Sequence, residues 1–150
     1  MKAPPSLRRE HEELHADLAH AGKMPGLLGE TAREVARIMH PHFLREDEYA
    51  MPPLSLLPRL ARGQVTPDMA EVLPLVARLK QETPLMIEEH RAIMGAVRAF
   101  ALAAESDGDE KCIRLAAELT VHAQLEEEVL YPTALLVGDY VKARLQPVRV

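Results

Sequence analysis

The chain has 150 residues, 47% of them hydrophobic but only 3% aromatic, with no Trp and a formal net charge of -5. One domain spanning residues 1–150 is expected, with a core large enough to need no staples. The acidic balance, without a Lys/Arg block interleaved with aromatics, excludes the electrostatic footprint of nucleic-acid binding, and a lone Cys112 excludes an internal disulfide framework.

The apolar content is mostly Leu, Ala, Val and Met, which favours helix over strand, so an all-α fold is expected. Ser6, after Pro4 and Pro5, reads as the cap of a first helix that carries Leu7, Leu14 and Leu18 at helical spacing and ends at Gly22. A KMPG turn precedes a second helix from about Leu27 to Ala50, with Thr31 and Glu34 at capping-box spacing and Pro41 as an expected kink. The Pro-rich apolar segment MPPLSLLPRLARGQV, residues 51 to 65, is read as a short turn packed over one end of the bundle, a partner-contact surface being the alternative.

Thr66 and Pro67 open a third helix running to about Ala104, with kinks expected near Pro74 and Pro84. ESDGD at 105–109 is a turn, and a fourth helix follows from about Glu110 to Tyr131. Beyond Pro132, ALLVGDYVKARL is read as a short extra C-terminal helix that packs back. Four principal helices with short connections imply an antiparallel bundle. No run approaches the ~18 apolar residues of a membrane span and MKAPPSLRRE lacks a signal-peptide core, so a soluble, cytoplasmic protein is expected.

Seven histidines carry the chemistry. HEELH at 11–15 has the H-E-x-x-H form of zinc peptidases, in which two His one turn apart hold zinc and the Glu activates water. The helical wheel, however, puts His11 in the apolar stripe, His15 at its edge and Glu12 away from it. On the second helix His42, Glu46 and Tyr49 continue the stripe of Val35 and Met39, on the third His90 lies between Met86 and Ile93, and on the fourth His122 and Glu126 follow Leu119 and precede Val129. His20 faces water, and His40 lies outside its stripe.

Each helix thus sends a His inward, and two send a carboxylate. Bare carboxylates buried at Glu46 and Glu126 would cost several kcal/mol each, and no Lys or Arg shares their stripes. Protonation, pairing or metal must neutralise them. Four imidazoles with two carboxylates form an N/O donor set suited to Fe, Mn or Zn, and two carboxylates shared between two metals is the natural use of so many ligands.

The ordered pieces EHEELH (10–15), HPHFLRE (40–46), EEHRAIM (88–94) and HAQLEEEVLYP (122–132), in shorthand H, HxxxE, H, HxxxE, resemble the hemerythrin-like, HHE cation-binding family over nearly the whole chain. That resemblance implies an up-down-up-down four-helix bundle around two non-haem Fe ions, with His11, His42, Glu46, His90, His122 and Glu126 as ligands and both glutamates bridging. His15 is the alternative ligand or a supporting partner on the first helix.

The pattern departs from oxygen-carrying hemerythrins in two places. Their third helix has HxxxH, whereas Met94 stands four residues after His90; their fourth has HxxxxD, whereas here Glu126 follows His122 at +4 and Glu127 at +5. Loss of one imidazole leaves an open or water-filled position, which favours reaction over reversible storage. The expected role is binding of, or reaction with, O2, peroxide or NO, with catalase-like peroxide disproportionation the most concrete activity. A non-catalytic oxygen or iron sensor and a zinc peptidase built on HEELH are the competing readings. Tyr49 is a candidate hydrogen-bond donor to the site, a packed core tyrosine being the simpler alternative.

Overall fold

In the computed structural model, which describes residues 1–146, every regular element is helical, as the Leu- and Ala-rich composition leads one to expect. In chain order these are α1 (Pro5–Ala21), α2 (Gly26–Arg45), α3 (Leu57–Ala61), α4 (Val72–Asp107), α5 (Glu110–Leu125) and α6 (Tyr131–Leu145). A π-helical turn, Glu46–Ala50, continues α2, and a second, Glu126–Leu130, joins α5 to α6; 3₁₀ turns at Pro52–Leu56 and Pro67–Glu71 flank α3. Residues 147–150 of the expected domain lie outside the described residues. No helix is long and apolar enough to cross a membrane.

Several helix ends differ from the sequence reading. Pro4, not Ser6, is the N-cap of α1, and no side chain caps it. Thr31 sits inside α2 and bonds back to the carbonyls of Leu27 and Leu28 instead of forming a capping box, while Glu34 pairs with Arg37. Pro74 falls in the first turn of α4, where its missing N–H costs no helical bond. The expected turn at 105–109 is shorter than its composition suggests: α4 runs through Asp107, Gly108 takes the left-handed conformation (φ 65°), and Asp109 caps α5 by accepting from the Cys112 N–H. The C-terminal helix does not turn back at Pro132; Leu130 is itself right-handed helical, so α6 prolongs the rod of α5.

α1 packs against α2 and α5, α4 against those same two helices, and α6 against α4. With 36 residues, at 1.5 Å each, α4 is about 54 Å long and runs past all three apolar clusters. One cluster, including Leu18, Val35, Phe100 and Leu119, joins α1, α2, α4 and α5. A second, including Tyr49, Met51, Leu79, Met86 and Tyr131, lies beyond the π-helical turns. The third, with Met69, Val72, Val76, Val137 and Val141, closes the far end under the Pro-rich segment. There Pro52, Pro53, Leu54 and Leu56 are buried, so the first part of the segment packs as a lid, while α3 buries none of its residues. α6 approaches α4 so closely that a Cβ on Gly138 would collide with the Val76 side chain.

Between the first two apolar clusters lies a layer of buried polar residues: His90 on α4 stands between Met86 and Ile93, members of opposite clusters. Each fully buried Leu, Val or Met contributes about 1.5–3 kcal/mol, so the flanking clusters can offset a polar layer costing several kcal/mol per uncompensated ion.

Candidate metal centre

His11, His42, Glu46, His90, His122 and Glu126 are the buried polar or charged side chains among the described residues, with exposures of 0 to 5%. They meet in one layer. Ligand atoms of His42, Glu46, His90 and Glu126 lie within 4.8 Å of one another, as do those of His11, His122 and Glu126. Glu126 belongs to both groups, whereas Glu46 belongs to the first. Of the two glutamates expected to bridge, Glu126 alone has ligand atoms in both groups.

Each of the four imidazoles is held from outside by a carboxylate on its Nδ1. His11 meets Asp47 at 3.2 Å, His42 meets Glu89 at 2.8 Å, His90 meets Glu127 at 2.8 Å and His122 meets Glu10 at 2.7 Å. Nδ1–H donation to a carboxylate leaves a lone pair on Nε2. All four Nε2 atoms point inward at carboxylate oxygen: His42 toward Glu46 at 2.9 Å, and His90, His122 and His11 toward Glu126 at 3.2, 3.4 and 3.7 Å. Lone pairs facing carboxylates repel unless a cation lies between them.

Unmet bonding in the layer points the same way. Glu46 Oε1, Glu126 Oε2 and His122 Nε2 are buried without a hydrogen-bond partner in good geometry. Such orphans cost roughly 1–3 kcal/mol each, more when charged. Protons are a poor substitute at two of the imidazoles: burial, then the charge of His42, holds His90 below the ordinary histidine pKa, and burial does the same to His122. At His42 burial works in the same direction, but Glu46 and Glu89 outweigh it and raise the pKa. A group of N and O donors with its outer nitrogens anchored to carboxylates fits a divalent first-row transition ion.

The two π-helical turns begin at the two glutamates. A π turn widens the helical repeat, and after Glu126 the inward-facing residue is Tyr131, five positions on. Val129, expected on the stripe, is 47% exposed, while Tyr131 is 2% exposed. Its hydroxyl donates to Glu46 Oε2 at 3.1 Å and lies 3.3 Å from His90 Nε2 and 3.4 Å from His42 Nε2. Burial, with the Glu46 carboxylate beside it, raises the Tyr131 pKa and keeps the phenol protonated. Tyr49 is buried as expected, but its hydroxyl donates to Glu82 and toward Met86 Sδ, so Tyr131 takes the place considered for it.

His15 is in neither group. It is partly buried, its Nε2 lies 3.2 Å from His40 Nδ1, and its ring stands edge-on to Phe43. Burial first, then the neighbouring His40 and His11, lowers its pKa. Glu12 is exposed. The histidines of HEELH therefore serve different partners and do not form the two-His grip of a zinc peptidase. Met94, four residues after His90, lines a small space together with His42, His90, His122 and Glu126 and the apolar side chains of Met39, Phe43, Ile93 and Leu119.

Glu10, Asp47 and Glu89 were not singled out by the stripes, and Glu127 was noted only as an alternative ligand. A signal was present: each outer carboxylate is the immediate sequence neighbour of an inner ligand, in the pairs Glu10–His11, Glu46–Asp47, Glu89–His90 and Glu126–Glu127. Compared with known proteins, the chain matches no family model, no curated protein and no solved structure, so the reading of this centre rests on its own geometry.

Proposed function

We propose that this is a cytoplasmic, hemerythrin-like protein: α1, α2, α4 and α5 form an up-down-up-down four-helix bundle, α6 extends it, and the inner layer holds two non-haem Fe ions that bind or react with O2, peroxide or NO. The observation that carries this reading is the inward aim of four Nδ1-anchored imidazoles at Glu46 and Glu126. His42, Glu46 and His90 would hold one ion, His11 and His122 the other, with Glu126 shared. Iron supplies Lewis acidity and one-electron redox chemistry toward small oxygen and nitrogen ligands.

The protein's own groups support that chemistry. Glu10, Asp47, Glu89 and Glu127 fix the imidazole tautomers and ring orientations. Tyr131, protonated and aimed between His42 and His90, can donate a hydrogen bond to a small ligand there. Met39, Phe43, Ile93 and Leu119 line the same small space with apolar side chains, which disfavours ions relative to small neutral molecules. Peroxide disproportionation, in which two peroxides give two waters and one O2, is the most concrete activity.

Metal analysis with an absorption spectrum tests the centre: two irons per chain with near-ultraviolet oxo-to-iron bands are expected, and zinc alone would overturn the iron reading. Oxygen evolution from peroxide, abolished in His122→Ala, tests turnover. Stoichiometric consumption without turnover would replace the enzyme with a non-catalytic oxidant-binding protein using the same residues.

A further inference from the structure

The histidine of HEELH that the inner layer does not use forms a second constellation. His15 on α1 and His40 on α2 bring His15 Nε2 and His40 Nδ1 to 3.2 Å, with ring centroids 5.0 Å apart and planes at 66°. Two imidazoles on one ion at metal–nitrogen distances of about 2.0–2.1 Å have their nitrogens roughly 2.9 to 3.4 Å apart, for angles between square and tetrahedral. The observed separation falls inside that range, so one ion could be held by both nitrogens with little movement of either helix. His40 is exposed and His15 partly buried, which leaves one side open to water for the remaining coordination.

We propose that His15 and His40 form an outer, solvent-facing site for one divalent transition-metal ion, which collects ions beside the inner layer. Imidazole nitrogen without thiolate selects ions such as Ni2+, Cu2+, Zn2+ or Fe2+ over Mg2+ or Ca2+. With two protein ligands the site is weak and exchangeable, as collection requires. Its position suits the role: the Phe43 ring stands edge-on to His15 at 5.2 Å and stacks on His11 at 3.9 Å, so one aromatic ring contacts an outer and an inner histidine.

Equilibrium dialysis of the full chain against Ni2+, with metal counted per chain, tests the site. His15→Asn and His40→Asn should each lower the count by one, while His20→Asn, at an exposed histidine elsewhere on α1, should leave it unchanged. The same loss of one ion should persist in a Glu126→Gln background, which separates failure of the outer site from failure of the inner centre. Equal counts in all chains, or an equal loss in His20→Asn, would overturn the site. The collecting role additionally rests on the inner centre proposed above. At limiting Fe2+, filling of that centre should slow several-fold in His40→Asn with its final occupancy unchanged, and an unaltered rate would overturn the role.

Discussion

Glu10 and His11 on α1, with His42, Glu46 and Asp47 at the end of α2, recur as Glu89 and His90 on α4, with His122, Glu126 and Glu127 at the end of α5, at the same spacing to within one residue. The hydrogen bonds follow the same exchange. Asp47 holds His11 as Glu127 holds His90, and Glu10 holds His122 as Glu89 holds His42. Each carboxylate thus reaches to a neighbouring helix, and the four links run around α1, α5, α4 and α2 as a closed ring.

The halves differ where the ligands end. Tyr131 corresponds to Met51, Phe43 to Ala123, Arg45 to Leu125, and the outer His15–His40 pair to Met94 and Thr120. In the proposed centre, one metal position would thus be bordered by a phenol and the other by a stacked Phe43 ring. A repeated frame can supply a donor set, but only its asymmetry can make two metal positions chemically different.

The shared use of Glu126 is the feature most easily broken. Glu126→Gln should abolish loading of both ions, whereas Glu46→Gln should remove about one ion per chain, as read by metal analysis. Metal-linked stabilisation offers a second readout: with free metal at 1,000 times its Kd, one site adds about 4.1 kcal/mol. The part of the Tm rise that comes from the inner layer should vanish in Glu126→Gln, leaving only what the outer His15–His40 pair contributes, while the metal-free variant loses none of its stability, because an orphaned buried carboxylate has been neutralised. Equal losses in the two variants would show that Glu46 is shared as fully as Glu126.

Tyr131→Phe sharpens the contrast between the phenol and its counterpart. Peroxide turnover should fall roughly 100-fold, at the low end of what a positioned proton donor contributes, with both ions retained. Met51→Leu should leave turnover unchanged. If Tyr131→Phe turns over normally, the phenol serves only to satisfy Glu46.

The ring of outer carboxylates should give smaller effects. Glu10→Gln, Asp47→Asn, Glu89→Gln and Glu127→Gln should each weaken metal affinity about 10- to 100-fold, the usual range for a group orienting a ligand. Glu89→Gln should lie at the upper end, since Glu89 is the most buried of the four and also pairs with Arg45. Competition with a chelator of known affinity measures the series, and a uniform absence of effect would mean that helix packing alone aims the imidazoles.

Much of this was legible from helical periodicity, because a ligand that must point inward obeys the same 3.6-residue spacing as the Leu and Val around it. His42, His90, His122 and Glu126 lie on stripes that the structure buries. Where the period itself changes, the reading fails: the π turn after Glu126 turns Val129 outward and Tyr131 inward, and no composition signal marks it. Partners between helices were also hidden. Nothing in the spacing of Glu10 says that it meets His122, more than a hundred residues away. The start of the second helix near Leu27 agrees to within a residue, but the caps read at Ser6 and Thr31 fail because a capping pattern is local, and both residues lie inside helices instead.

The smallest effect compares the equivalent residues His42 and His122 in chelator-treated protein. His122 is buried near Glu126 at 3.4 Å, and burial lowers its pKa below 6.5. His42 is at least as buried, but Glu46 at 2.9 Å and Glu89 at 2.8 Å raise its pKa above 6.5. The unfolded chain takes up a proton more readily than folded His122 does, so the contribution of neutral His122 is whole above pH 6.5 and is eroded as pH falls below it. His42 has the opposite sign: its contribution is whole below pH 6.5 and is lost as pH rises through its folded value. An NMR titration of the imidazole resonances should find the two on opposite sides of 6.5, and Glu89→Gln should move His42 downward without moving His122. Coincident titrations would mean that the difference between the halves is confined to Tyr131 and Phe43, and that the two imidazoles meet the same field.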